Sequence, residues 1–115
     1  MRKIDMTKKQ KALDVLKNPM GKIVLVDLDN TLVDGTFWVG DKTHPPVNKK
    51  MQELVWKLDD GGAFIVIWTA RPLKALKDTY KWLGQNNLQY PIACRLKPPA
   101  DLYIDDKAVN VDDVI

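Results

Sequence analysis

Residues 23–31, Ile23-Val24-Leu25-Val26-Asp27-Leu28-Asp29-Asn30-Thr31, decide the fold. Four consecutive apolar, mostly β-branched residues read as a central strand of a parallel sheet, buried on both faces. Two carboxylates, an amide and a hydroxyl then follow almost at once, polar groups that a core would reject. The strand therefore ends at an open edge, and in an open parallel sheet ligands bind beyond the carboxyl ends of the strands. Asp27 and Asp29 alternate, so in an extended strand they would share a face. The chain must curl after Asp27 if both are to reach one ligand from different angles.

The neighbouring stretches alternate between helix and strand. Residues 5–18 carry a helical pattern that stops at Asn18-Pro19-Met20-Gly21. Residues 33–46 are rich in Gly, Asp and Pro and too irregular for a long helix. Val47, Met51, Leu54, Val55 and Leu58 recur at helical spacing, predicting a helix over 46–59 that ends at Asp60-Gly61-Gly62. Ala63 to Trp68 reads as a second buried strand closing in Thr69-Ala70-Arg71-Pro72. A further helix follows, with Leu73, Leu76, Tyr80 and Leu83 along one side and a stop near Gly84 to Asn87. Two short strands, Tyr90 to Cys94 and Leu102 to Asp105, complete an α/β order with helices on the faces of a parallel sheet.

Bulk properties fit this reading. The chain has 115 residues, 45% hydrophobic and 29% charged, which suits one domain (1–115) with a real core. A net charge of +3 favours anionic ligands but falls short of a nucleic-acid-binding signature. Lys8, Lys9 and Lys11, and the pair Lys49-Lys50, read as solvated helix faces. No stretch is long enough to span a membrane, and the start lacks the apolar run of a signal peptide. Cys94 is the only cysteine, so no internal disulfide forms and a cytoplasmic setting is expected.

The chemistry sits at the strand ends. Asp27, Asp29, Asp105 and Asp106 would repel at one edge unless a cation lay among them. Hard oxygen donors without a His/Cys cluster favour Mg²⁺ over Zn²⁺. His44 reads as a loop residue and Cys94 as a small packed apolar one. Thr69 could cap the following helix, Arg71 could form a surface salt bridge, and Asp105 could be a turn residue.

Asp27-Leu28-Asp29-Asn30-Thr31 resembles the DxDxT motif that opens haloacid dehalogenase-like (HAD) phosphatases. Thr69 is placed like their second motif, Lys97 like the third-motif lysine, and Asp105-Asp106 like the acidic pair of the fourth. The likeness spans residues 22–108, with each motif in order. It implies a three-layer α/β/α Rossmannoid domain with strand order 3-2-1-4. It also implies a phosphomonoesterase in which Asp27 forms an aspartyl-phosphate and Asp29 acts as acid and then base. Thr69, Ala70 and Arg71 would bind the phosphoryl group, and Lys97 would offset its charge. Mg²⁺ would be held by Asp27, the Asp29 carbonyl and the acidic pair, with Asp106 favoured as direct ligand over Asp105.

The departures are informative. The segment between the last two strands must cross about 15 Å sideways at ~4.8 Å per strand. Leu96 to Asp101 spans about 20 Å when extended, so no helix fits there. Pro98-Pro99 keeps the segment extended, and Arg95 competes with Lys97 for the third-motif role. The chain also has no room for a cap domain. Residues 33–46 form only a flap, on which Phe37-Trp38 could contact substrate or pack on the domain itself. An open site admits bulky phosphorylated substrates, nucleic-acid 3′-phosphate ends among them, or a partner subunit as lid in a homo-oligomer. A non-catalytic phosphate-binding or scaffold module is the competing reading, but such a module gains nothing from two repelling carboxylates. A receiver-type signalling domain shares the acids, Thr and Lys, yet it carries its phosphoacceptor Asp on a later strand.

Overall fold

Ile23–Asp27 forms β1, an inner strand of a four-stranded, all-parallel sheet. The sheet runs β3-β2-β1-β4, with β2 at Phe64–Thr69, β3 at Ile92–Cys94 and β4 at Leu102–Ile104. The structure, a computed structural model, describes residues 8–34 and 46–105. The flap residues Phe37, Trp38 and His44, and the acidic residue Asp106, lie outside the described residues. The strand order is the one that the motif resemblance implies. Register pairs Asp27 with Trp68 across β1 and β2, and Val26 with Ile104 across β1 and β4. Asp27 and Asp105 thus leave adjacent strands at the same edge.

Three helices, α1 (Lys8–Lys17), α2 (Lys49–Asp60) and α3 (Leu76–Gln85), supply the other layer. Helix α2 starts later than its apolar periodicity suggests because Val47 bridges to Val33 and Asn48 then caps the helix. The Asn48 side-chain oxygen accepts the Met51 N–H at 3.1 Å, satisfying one otherwise orphaned donor. Asn48→Ala is expected to cost about 1 kcal/mol, read as a fall of several degrees in melting temperature with activity retained. At the other end of α2, Gly62 sits at φ 97°, and a Cβ there would lie 2.6 Å from the Met20 sulfur. Only glycine accommodates both the conformation and the approach.

Helix α3 differs from its expected face. Leu73 and Tyr80 are exposed, at 65% and 49%, and the buried residues are Thr79, Trp82 and Leu83. A short 3₁₀ turn over Leu73–Ala75 takes Leu73 off the helix, and within α3 the buried stripe runs through Thr79 and Trp82, which leaves Tyr80 outside it.

All three helices feed one buried cluster. Val15 of α1, Leu54, Val55 and Leu58 of α2, and Trp82 and Leu83 of α3 join Val24, Val26, Ile65, Ile67, Leu102 and Ile104. Those strand residues share one face of the sheet by the two-residue alternation. The opposite face carries Ile23, Leu25, Phe64, Val66, Trp68 and Tyr103. Among the described residues no helix covers it, and an extended strap lies across part of it instead. The strap is the crossover from β3 to β4. The Tyr103 hydroxyl accepts the Ala100 N–H at 3.1 Å and donates to the Pro98 carbonyl at 3.2 Å. Beneath it Leu25 is buried, while Phe64 at the far end of the face is 56% exposed. At its end the strap is pinned by a reciprocal pair: Asp101 accepts the Ile23 N–H through its side chain and donates its own N–H to the Ile23 carbonyl. No helix among the described residues is long and apolar enough to cross a membrane.

Candidate functional site

Immediately past Asp27 the chain curls. The Val33 N–H reaches back to the Leu28 carbonyl at 2.9 Å, closing one wide turn over Leu28–Leu32. Asn30 takes φ 61°, a left-handed conformation that Asn tolerates better than most residues. Leu28, Thr31 and Leu32 are buried and anchor the turn from within. Single wide turns of this kind recur at functional sites.

Asp27 is half-buried at the mouth of this turn. Burial pushes its carboxyl from the ordinary 3.8 up to about 6. The Leu28 backbone N–H opposes that shift, the Asp105 and Asp29 carboxylates add to it, and the Lys97 ammonium opposes it. Asp27, Asp105, Lys97, Trp68, Tyr103 and Leu25 line one small pocket. Three separate strand ends and the strap therefore bring two acids and one cation together. A carboxylate held this far up is poorly solvated and destabilises the fold when ionised, the pattern expected where chemistry outweighs stability.

Asp29 takes a different partner. The Arg71 side chain grips both of its oxygens: Nε donates to Oδ2 at 3.0 Å, and Nη2 forms the shorter contact with Oδ1. The Arg71 side chain is 4% exposed and that of Asp29 26%. Arg71 also donates through Nη1 to the Thr79 hydroxyl at 3.2 Å, and Thr79 donates on to the Ala75 carbonyl at 2.8 Å. A chain of bonds thus runs from the first loop into α3. The surface salt bridge anticipated for Arg71 is a buried, forked one, and its guanidinium faces Asp29 and Thr79.

Thr69 is 2% exposed at the end of β2. Its side-chain oxygen accepts the Arg71 N–H at 3.1 Å, making a tight local turn, and its carbonyl accepts the Arg95 N–H at 2.8 Å. Ala70 is exposed beside it. Arg95 sits at φ 73°, which turns the chain out of β3 and into the strap. Of the two candidates for the third-motif role, Lys97 is the one that lines the Asp27 pocket and acts on its charge. The Thr31 hydroxyl and the Trp68 indole nitrogen are buried with no hydrogen-bond partner among the described residues.

Among the described residues no group of three or more acids, His or Cys comes together as a metal-binding set. Asp27 and Asp105 form a pair in the pocket, and Asp29 is drawn toward Arg71. Thr79, Trp68 and Tyr103 were not among the residues singled out by the sequence. Thr79 sits within a helical pattern, and Trp68 and Tyr103 read as ordinary strand residues. The one signal for Trp68 was parity, since it lies in register with Asp27 on the same sheet face. No protein-family model, curated protein or solved structure matches the chain.

Proposed function

We propose that the chain is a HAD-like, Mg²⁺-dependent phosphomonoesterase with Asp27 as nucleophile. The observation that carries this reading is the convergence of Asp27, Asp105 and Lys97 on one pocket at the carboxyl edge of a 3-2-1-4 parallel sheet. An Asp27 oxygen attacks phosphorus, forming the acyl-phosphate bond as the bond to the leaving oxygen breaks. Asp29 takes a proton from solvent on Oδ2, opening the Nε contact while Nη2 keeps Oδ1, and gives that proton to the leaving oxygen. Water then attacks the phosphorus of the aspartyl-phosphate, Asp29 takes a proton from it, and inorganic phosphate leaves with Asp27 restored.

The neighbouring residues have supporting tasks. The Thr69 side-chain oxygen is already an acceptor for Arg71, so its O–H proton can donate to a phosphoryl oxygen. Ala70 offers an exposed backbone approach. Lys97 balances the charge of phosphate against that of Asp27. Arg71 holds the Asp29 carboxyl group in one plane, a positioning task in place of the substrate contact that its sequence position suggested.

The donor set fits Mg²⁺, which takes one or two carboxylates and completes its shell with water. Asp27, the Asp29 carbonyl and the Asp105-Asp106 pair would hold it. Bound there, the ion neutralises repulsion between carboxylate and phosphate. The open edge beside exposed Arg95 and Leu96 suits a bulky substrate, and nucleic-acid 3′-phosphate ends are the first class to try.

The direct test is phosphate release from a simple aryl phosphate across a Mg²⁺ titration. Release that needs Mg²⁺ and stops with chelator is expected, followed by a panel including 3′-phosphorylated oligonucleotides. If no ester in the panel is hydrolysed and beryllofluoride fails to bind with Mg²⁺, the phosphatase reading is wrong. Beryllofluoride binding without turnover would point to a phosphate-binding module.

A further inference from the structure

We infer that Trp68 and Tyr103 are positioning residues that hold Lys97 at the Asp27 pocket, replacing the helix that the short crossover cannot form. The inference rests on the phosphatase reading for its catalytic consequence, and on geometry alone for the placement of Lys97.

The need for such a device follows from the fold. Lys97 lies on an exposed strap with no helical hydrogen bonds behind it, and a lysine side chain has large rotamer freedom to lose. Left alone, it would sample solvent rather than the pocket. Two contacts oppose this. The Lys97 ammonium stands 4.7 Å from the centroid of the Trp68 ring, inside the range of cation–π attraction. Trp68 is fixed in β2 directly across from Asp27, so the ring that attracts Lys97 is in register with the nucleophile. The second contact fixes the strap itself. Tyr103, on β4, uses its hydroxyl both as acceptor for Ala100 and as donor to Pro98, one residue beyond Lys97.

The state of the Trp68 indole N–H supports a role outside simple packing. Buried tryptophans usually find a partner for that donor, yet here it is buried without one among the described residues. A leucine would fill the same half-buried strand position without stranding a donor. What only an aromatic ring supplies at this site is the electron-rich face toward Lys97.

The experiment combines spectroscopy with a variant cycle. In the wild-type protein the Lys97 ε-methylene protons are expected upfield of their ordinary position, from the Trp68 ring current. Trp68→Leu should return them to it, and Trp68→Phe should keep part of the shift. Tyr103→Phe removes one oxygen at a partly exposed site and should reduce the shift with folding intact. In turnover, Lys97→Met should lower kcat about 10²-fold, and Trp68→Leu about tenfold. The double variant should be no slower than Lys97→Met alone, and Trp68→Phe should recover most of the loss.

Multiplying effects in the double variant would overturn the inference, because a merely structural Trp68 slows the reaction whether or not Lys97 is present. An unshifted Lys97 methylene in a protein that does release phosphate would overturn it as well, leaving the phosphatase reading intact. A shifted methylene in a protein that hydrolyses no ester and binds no beryllofluoride would reject the phosphatase reading and the catalytic role with it.

Discussion

Asp27→Asn is expected to abolish phosphate release, by about 10³-fold or more as for other nucleophile removals, and to make the protein more stable at neutral pH. The two halves have one cause. The Asp27 carboxyl ionises near 6 in the fold against 3.8 ordinarily, because burial and the neighbouring acids disfavour its charge. Between those two values the unfolded chain has lost the proton while the folded chain retains it. Stability therefore falls as pH rises through that window, and the penalty persists in full above it. Asparagine carries no charge and escapes the penalty. The melting temperatures of variant and wild type should nearly coincide below pH 4 and separate, with the variant higher, by pH 7. Mg²⁺ should raise the wild-type melting temperature by mass action and leave the variant almost unmoved. Thermal melts at several pH values, with and without Mg²⁺, check both points. A variant that keeps its activity would remove Asp27 as nucleophile. A variant that is less stable than wild type at pH 7 would show that the carboxylate serves the fold.

How legible this arrangement was depends on which physical signal each residue carries. The strands were plain because they are unbroken apolar runs, IVLV and FIVIW, although one face of the sheet is only partly covered, with Phe64 and Ile23 exposed. Strand order came from the motif resemblance, whereas the helix-free crossover was accessible from contour length alone. Helix α3 was harder. Its apolar residues do repeat at helical spacing, but Leu73 belongs to a separate 3₁₀ turn and the buried stripe runs through Thr79, a polar residue that apolar periodicity passes over. The site divides the same way. Asp27 and Asp105 could be placed at one edge because strand ends are readable, and Lys97 followed from the motif resemblance with Arg95 as its competitor, whereas the partner of Arg71 could not be placed. Its side chain turns toward Asp29 only because the loop after β1 curls back, and that depends on buried Leu28, Thr31 and Leu32 rather than on any local pattern. Trp68 and Tyr103 were hidden for a further reason. Their roles follow from the sheet face that no helix covers among the described residues, which no local pattern marks.

Arg71→Met should destabilise the protein by about 3 kcal/mol, the lower part of the range for removing one partner of a buried ion pair. The lower part applies because Asp29 keeps some exposure, with 26% of its side chain accessible against 4% for Arg71. Methionine replaces the aliphatic stem of the lost side chain, so most of the cost comes from the lost fork to Asp29 and from the Thr79 hydroxyl that loses this donor. Asp29→Asn alone should cost a similar amount, since it removes the charge that the buried guanidinium grips with two hydrogen bonds. The two together should cost clearly less than their sum, and additivity to within about 0.5 kcal/mol in urea denaturation would deny the coupling. Arg71→Lys should not rescue the pair, because an ammonium cannot serve both carboxylate oxygens and Thr79 from one planar fork. The kinetic consequence is distinctive. Asp29 is needed most when the leaving oxygen is a poor one that must depart protonated. Turnover of an alkyl phosphate should therefore fall further in Arg71→Lys than turnover of an aryl phosphate with an acidic leaving group. Equal losses on both would mean that Arg71 supports only the fold, and the link from α3 through Thr79 to the reacting group would have to be abandoned.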